Sequence, residues 1–225
     1  MSKKRPTSKQ LQAIAARYAE RIDDFDLFRQ QVNDFFLKSR PFQGKPLPLV
    51  HSVKSRVKDK DHLLEKICRK WHEKEITAEN LFDEITDFAG VRVLHLHTQQ
   101  FAEIHRAIMH HIDKGFWTLL EPPVAYSWDP EAIKFFEGLG LAAVTRATYY
   151  TSIHYVVKPH SNTDLTCEIQ VRTLFEEIWG EIDHSLNYPK ATTNIACREQ
   201  LRVLAKLAST GTTLVDSIYK ISDES

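Results

Sequence analysis

The stretch DLTCEIQVRT, residues 164–173, constrains the fold more than any other part of the chain, because apolar and polar side chains alternate in it without a break. Successive side chains of a strand point to opposite faces. Leu165, Cys167, Ile169 and Val171 therefore share one face, and Thr166, Glu168, Gln170 and Arg172 share the other. The first face belongs in a core. The second sets a carboxylate, an amide and a guanidinium side by side. A half-exposed strand of a meander alternates in the same way, so one such strand leaves a site and a solvated face equally open. SIHYVVK, 152–158, repeats the pattern, with Ser152 and His154 opposite Ile153, Tyr155 and Val157. An antiparallel hairpin of the two strands would gather Ser152, His154, Glu168 and Gln170. Asp87 stands just before a third β-rich segment, GVRVLHLH, 90–97. Asp87 and Glu168 could then hold one Mg²⁺, which takes oxygen ligands and keeps several waters plus substrate phosphates.

Helical patterns surround these strands. Apolar residues at steps of three and four run from Leu11 through Ile14, Tyr18, Ile22, Phe25, Phe28 and Val32 to Phe36, predicting one helix from Thr7 or Ser8 that ends before Pro41. PFQGKPLP, 41–48, is the best internal boundary. It divides the chain into an N-terminal helical segment, 1–40, packing on a main domain, 48–190, with a C-terminal helix, 191–225. A helix over 59–74 has Asp59 as N-cap and Leu64, Ile67 and Trp71 as its apolar stripe. Further helices are expected near 79–87, 101–113, 174–187 and 196–220. Residues 121–148, with Pro122, Pro123 and Pro130, read as a long mobile insertion near the site with a short helical piece at 131–137. Phe175, Trp179, Ile182 and Leu186 read as a core stripe. Leu204, Leu207, Leu214 and Ile218 read as core or subunit contact.

Lys58, His62, Lys66 and Lys70 step by four, continuing a basic series that begins at Lys54 and Arg56. Charge runs are usually solvated faces, yet like charges at this spacing repel mildly. A triphosphate would relieve that repulsion, and a guanidinium such as that of Arg56 stacks readily on a nucleobase. A basic stripe beside two carboxylates suits phosphoryl chemistry, which is mostly positioning and charge neutralisation.

Composition removes several alternatives. Thirty Lys+Arg balance thirty Asp+Glu over 225 residues, which excludes a whole-surface basic footprint for nucleic acid but not a local patch. Neither GxGxxG nor GxxxxGK[ST] occurs, so a bound nucleotide uses neither a Rossmann turn nor a P-loop. Cys68, Cys167 and Cys197 are dispersed and form no CxxC, the pattern of reduced cytosolic thiols, two of them expected to be buried. No apolar run approaches the ~18 residues of a membrane span. MSKKRPTSKQ has positive charges without the apolar segment of a secretory signal, so a cytoplasmic location is expected. His95, His97, His110 and His111 are not read as a zinc site, since no carboxylate or cysteine is placed by spacing to complete one.

Four ordered blocks, SRVKDKDHLLEKI, ITDFAGVRVL, YYTSIHYVV and CEIQVRTLFEEIWGEIDHSLNY, together resemble the synthetase domain of the RelA/SpoT family, over about residues 51–190. The resemblance implies an α+β fold, a nucleotidyltransferase-like mixed sheet flanked by helices. It implies transfer of the β,γ-pyrophosphate of ATP to the ribose 3′-hydroxyl of GDP or GTP, making the alarmone (p)ppGpp. Residue by residue, Arg56 would stack on adenine, Lys58, His62 and Lys66 would line the ATP phosphates, and Asp87 and Glu168 would hold Mg²⁺, with Glu168 helping to activate the 3′-hydroxyl. Tyr150 would stack on the acceptor base, His154 would face acceptor phosphates, and Gln170 and Arg172 would support the metal and phosphate region. Three positions depart from the family pattern: His62 replaces a serine, Tyr149 replaces a glycine with Thr151 after it, and the last block ends Tyr188-Pro189-Lys190. The divergence is greatest on the acceptor side. The alternative on the same fold is a toxic synthetase that pyrophosphorylates the 3′ CCA end of tRNA, with an antitoxin partner, or one that modifies an adenosine nucleotide. The family likeness also implies homo-oligomers. No HD hydrolase domain fits in this length, so synthesis without degradation is expected.

Overall fold

The apolar stripe at the N-terminus forms two helices, α1 (Ser8–Ala19) and α2 (Ile22–Lys38), where one was expected. The break falls at Arg21, which leaves the helical region (φ −121°, ψ 0°). Its guanidinium pairs with Asp24 at 2.7 Å and with Asp164, across the chain, at 2.9 Å. Both helices keep their apolar faces on one core, with Ile14, Tyr18, Phe25, Phe28, Val32 and Phe36 buried. Periodicity therefore runs through the break unaltered. This computed structural model describes residues 5–44, 47–160, 163–188 and 190–223. Lys3 and Lys4 of the basic arm and Pro189 of the departing block lie outside them.

Among the described residues, seven strands form one mixed sheet: β1 (Ser52–Val57), β2 (Ala89–His95), β3 (Trp117–Leu119), β4 (Val124–Ser127), β5 (Ala142–Thr145), β6 (Ser152–Pro159) and β7 (Cys167–Thr173). Their order is β1-β2-β7-β6-β4-β5, with β3 also paired to β6. β2 and β7 are parallel, as are β4 and β5, and the other pairings are antiparallel. The alternation read from the sequence is the alternation of this sheet. Ala89, Val91 and Val93 lie level with Cys167, Ile169 and Val171, and Tyr155 lies level with Ile169. All are buried in one core with the apolar face of α2. Each of the valines and Ile169 contributes about 1.5–3 kcal/mol by leaving water. The opposite face carries the polar set.

Residues 121–148 are not a structureless insertion. They form β4, α6 (Pro130–Gly138) and β5, a compact strand–helix–strand unit on the sheet edge. Asp129 caps α6 through the Glu131 amide (2.9 Å), with Pro130 at the first helical position, where its missing N–H costs nothing. Strands this short leave too few residues for alternation to show.

The remaining helices are α3 (Lys60–Lys70), α4 (Leu81–Glu84), α5 (Thr98–Asp113), α7 (Leu174–Asn187) and α8 (Ile195–Asp223). On α7, Trp179 is buried but Ile182 and Leu186 are exposed, so the expected core stripe reduces to Trp179 with half-buried Phe175. Along α8, Leu207, Leu214 and Ile218 are exposed while Leu201, Ala205 and Ala208 face inward, and Leu204 packs at the edge of that small core. The outer three are therefore not core, and of the two expectations for them only subunit contact is compatible with their exposure. Of the thiols, Cys167 is buried, Cys68 exposed and Cys197 half-buried, so one is fully enclosed where two were expected. Asp216 of α8 reaches His97 at 3.6 Å, a carboxylate that sequence spacing could not place. No group of three residues that could hold a metal occurs among the described residues. No described helix is long and apolar enough to cross a membrane.

Candidate active site

Register builds the site. Lys54, Arg92, Gln170 and His154 fall in one row across β1, β2, β7 and β6, and Arg56, Gly90 and Glu168 form the next. Gly90, without a side chain, leaves the floor open between the guanidinium and the carboxylate. A cleft of about 720 Å³ lies over these rows, walled on the far side by α7. That volume is in the range of small-molecule sites, about 300–1,000 Å³. Arg56, Lys58, Asp87, Tyr150, Glu168, Gln170 and Arg172 all line it. Beside it, Lys66, His62, Arg69 and Tyr188 line a recess of about 140 Å³ that shares Arg56, Lys58 and Asp87 with the cleft. His62 is exposed at this mouth, with Tyr188 edge-on at 6.0 Å. Lys70, the last of the basic stripe, lines neither.

Backbone pairing places Lys58 beside Asp87. The β1–β2 ladder continues one step, Lys58 N donating to Phe88 O at 2.7 Å, and the Tyr18 hydroxyl donates to Lys58 O at 2.5 Å. Asp59 then caps α3, accepting from the Asp61 and His62 amides, and the next turn of α3 presents Lys66. Lys58 Nζ lies 2.9 Å from Asp87 Oδ2 and Lys66 Nζ lies 2.8 Å from Oδ1. Burial pushes the Asp87 carboxyl up, and the Lys66 and Lys58 charges outweigh it, holding it below the usual carboxylate range.

Glu168 sits in a second network. Its Oε1 lies 3.0 Å from His154 Nδ1 and its Oε2 accepts from Gln170 Nε2 at 2.8 Å. His154 Nε2 lies 2.8 Å from the Tyr150 hydroxyl. His154 thus has both ring nitrogens engaged, linking Tyr150 to Glu168, and does not line the cleft. Burial raises Glu168, while the His154 hydrogen bond and charge lower it further than burial and the Asp87 charge lift it, so it stays ionised. Tyr149 points away: it packs edge-on to Trp128 at 5.0 Å and lines a different cavity. It does not line the cleft over the polar rows.

Sequence reasoning missed Glu177, Arg92 and Glu181. Glu177 is buried on α7 and gathers Arg172 in a very short ion pair, Lys54 at 2.8 Å and Arg92 at 2.9 Å. Arg92 also reaches Glu181 at 2.6 Å. The Arg172 guanidinium lies 5.9 Å from the Tyr150 ring centre. A Cβ on Gly180 would come within 2.7 Å of Arg172 Nη1, so glycine there makes room for that ion pair. The signal for Arg92 was present in the parity of GVRVLHLH, which puts Gly90 and Arg92 on one face. Burial raises the Glu177 carboxyl, but the hydrogen bond from Lys54 and the charges of Arg172 and Arg92 bring it from 4.5 down to about 2. A depressed folded-state value gives stability that is complete above the unfolded value and lost as pH falls from about 4.5 towards 2. Melting temperatures between pH 5 and pH 2.5 should therefore fall less steeply in Glu177→Gln than in the parent, and equal slopes would refute the coupling.

The donor set fits a hard divalent cation. Asp87 and Glu168 are both held ionised, line one cleft and feel each other's charge, and Mg²⁺ is commonly held by one or two carboxylates plus phosphates. An ion at Asp87 would displace Lys58 or Lys66 from its oxygens, freeing an ammonium for phosphate.

The model of the "Region found in RelA / SpoT proteins" matches residues 55–193. The chain belongs to the RelA/SpoT family. The match takes in β2 to β7, the end of β1 and every described lining residue of the cleft of this RelA/SpoT chain except Lys54. Solved structures show the same fold at low identity. The small alarmone synthetase 1 from Bacillus subtilis superposes with a TM-score of 0.70 at 19% identity, over 93% of this chain and 100% of that one. A GTP pyrophosphokinase family protein from Streptococcus pneumoniae gives 0.65 at 22%, over 93% and 92%. The Bacillus subtilis protein bound to its product pppGpp gives 0.62 at 19%, over 95% and 98%. No curated protein matches the chain.

Proposed function

We propose that the protein is an ATP-dependent nucleotide 3′-pyrophosphokinase that makes (p)ppGpp from GDP or GTP. The observation that carries this reading is the convergence of two ionised carboxylates, Asp87 and Glu168, with Lys58 and Tyr150 on one cleft of a RelA/SpoT chain, and Lys66 in the recess beside it. The small alarmone synthetase 1 from Bacillus subtilis, similar in fold, has been solved bound to its product pppGpp and to the ATP analogue AMPCPP, which supports nucleotide substrates here.

In this reading the acceptor 3′-oxygen attacks the β-phosphorus of ATP, the bridge between the α- and β-phosphates breaks, and AMP leaves. Arg56 stacks on adenine at the recess, and Lys58 and Lys66 turn from Asp87 to the phosphates. Mg²⁺ held by Asp87 and Glu168 would neutralise phosphate charge when bound. Glu168, ionised and fixed by His154 and Gln170, accepts the 3′-hydroxyl proton. Tyr150 stacks on the guanine, and Arg172 and Gln170 hold the acceptor side. The test is incubation with ATP labelled at the γ-phosphate and either GDP or GTP: a labelled guanosine product supports the reading, and its absence from both counts against it.

Tyr150 carries a separable expectation. Aromatic stacking on a base contributes about 1–3 kcal/mol. Tyr150→Ala should raise the acceptor KM about tenfold or more with ATP affinity unchanged. Tyr150→Phe, which keeps the ring and loses only the hydroxyl bonded to His154, should be mild. Equal KM values for both variants and the parent would remove Tyr150 from base recognition.

A further inference from the structure

A second cavity of about 170 Å³ is bounded by α5, α6, α8 and the first turns of α7. Among described lining residues it shares only Trp179 with the catalytic cleft. Its walls include the aromatic rings of Trp128, Tyr149 and Phe135, and four carboxyl groups line it, those of Asp129, Glu131, Glu176 and Asp216. No lysine or arginine is among the described residues that do.

His95 supplies an independent observation. It is 2% exposed and lines this cavity. Its Nδ1 lies 3.0 Å from the His97 carbonyl oxygen, which can only accept, so Nδ1 carries the proton. Burial, chiefly, lowers His95 to about 4 and keeps it neutral. Nε2 is then a lone-pair acceptor, buried and without a hydrogen-bond partner. Such an orphan costs about 1–3 kcal/mol, and an occupant that donates a hydrogen bond removes the penalty.

We propose that this cavity binds a compact organic cation, an ammonium or guanidinium carried on a small apolar body. His95 Nε2 and the ionised carboxylates offer acceptors to the occupant, which asks for N–H donors. Aromatic faces beside carboxylates attract cations through the ring quadrupole and through charge-assisted hydrogen bonds. The volume, below that of drug-sized sites, excludes a nucleotide. Burial, with the Asp129 charge adding to it, lifts the Glu176 carboxyl to about 7, and an arriving cation would favour its ionised form. Glu176 also caps α7, accepting from the Thr173 amide at 2.8 Å, so Glu176→Gln removes the charge while retaining an acceptor for the cap.

Benzylammonium and methylguanidinium, with benzyl alcohol as the neutral match, are to be titrated into the full chain, following heat and the fluorescence of Trp128 and Trp179. At least one cation should bind saturably in the millimolar range or below, and benzyl alcohol should not. Glu176→Gln and Asp216→Asn should each weaken that binding about tenfold, the loss typical of one charged hydrogen bond. Absence of saturation by both cations up to about 10 mM, equal binding of benzyl alcohol, or unchanged affinity in both variants would overturn the proposal and leave a cavity that holds only water.

Discussion

Glu168→Gln is expected to leave a folded protein that has lost pyrophosphate transfer by a factor of about 100 to 1,000, the effect of removing one preorganised charge from a reacting centre. The substitution preserves shape and one acceptor oxygen. The hydrogen bond with His154 can persist through that oxygen, and the sheet register that fixes β7 does not depend on the charge. What disappears is the negative charge that, in the proposed reaction, receives the 3′-hydroxyl proton and would complete a two-carboxylate cation site with Asp87. Circular dichroism checks the fold and single-turnover kinetics check the rate. Near-normal turnover in a folded variant would remove Glu168 from the chemistry.

Asp87→Asn should cost both activity and stability. Lys58 and Lys66 converge on its two oxygens from β1 and α3, and the three side chains are mostly shielded from water. An amide leaves two ammonium groups facing each other without a counter-charge. The loss lies between exposed and fully buried ion pairs, about 2 kcal/mol, or roughly 4–8 °C of Tm for a chain of this size. ATP should restore part of it, because its phosphates supply the missing negative charge, whereas transfer should remain about 100-fold or more below the parent. A variant that melts with the parent and turns over normally would show that the lysines do not depend on Asp87. Because Glu168→Gln removes chemistry with little change in Tm, the two variants separate a reacting group from one that also holds the donor wall together.

The polar face of the sheet was legible because strand geometry assigns faces from parity alone. Glu168, Gln170, Arg172 and His154 were placed on the correct side by counting residues. Asp59 was legible as a cap, and the Lys58–Lys66 spacing was read as a basic stripe, although its pairing with Asp87 depends on a contact between strand and helix that no local pattern encodes. Glu177 was hidden for a related reason. Helical periodicity on α7 names a stripe, but only the docking of α7 over the sheet decides that Glu177 points inward to Arg92, Arg172 and Lys54. The α1–α2 break is invisible because both helices bury one continuous stripe. β4 and β5 were missed because four residues carry too little alternation to distinguish a strand from a loop. On α8 the amphipathic pattern gives the face and not its partner, so it left core and subunit contact both open, and exposure removes the first for Leu207, Leu214 and Ile218.

Acceptor choice is the central functional claim. Side-by-side labelling measures it most directly: the parent and Glu168→Gln, each with ATP labelled at the γ-phosphate and with GDP, GTP or deacylated tRNA at equal concentration of 3′ ends. The expected result is label on GDP or GTP in the parent, none in the variant and none on tRNA. Label on tRNA with none on either guanosine nucleotide would contradict the (p)ppGpp assignment while leaving the sheet, the carboxylate pair and the donor recess in place.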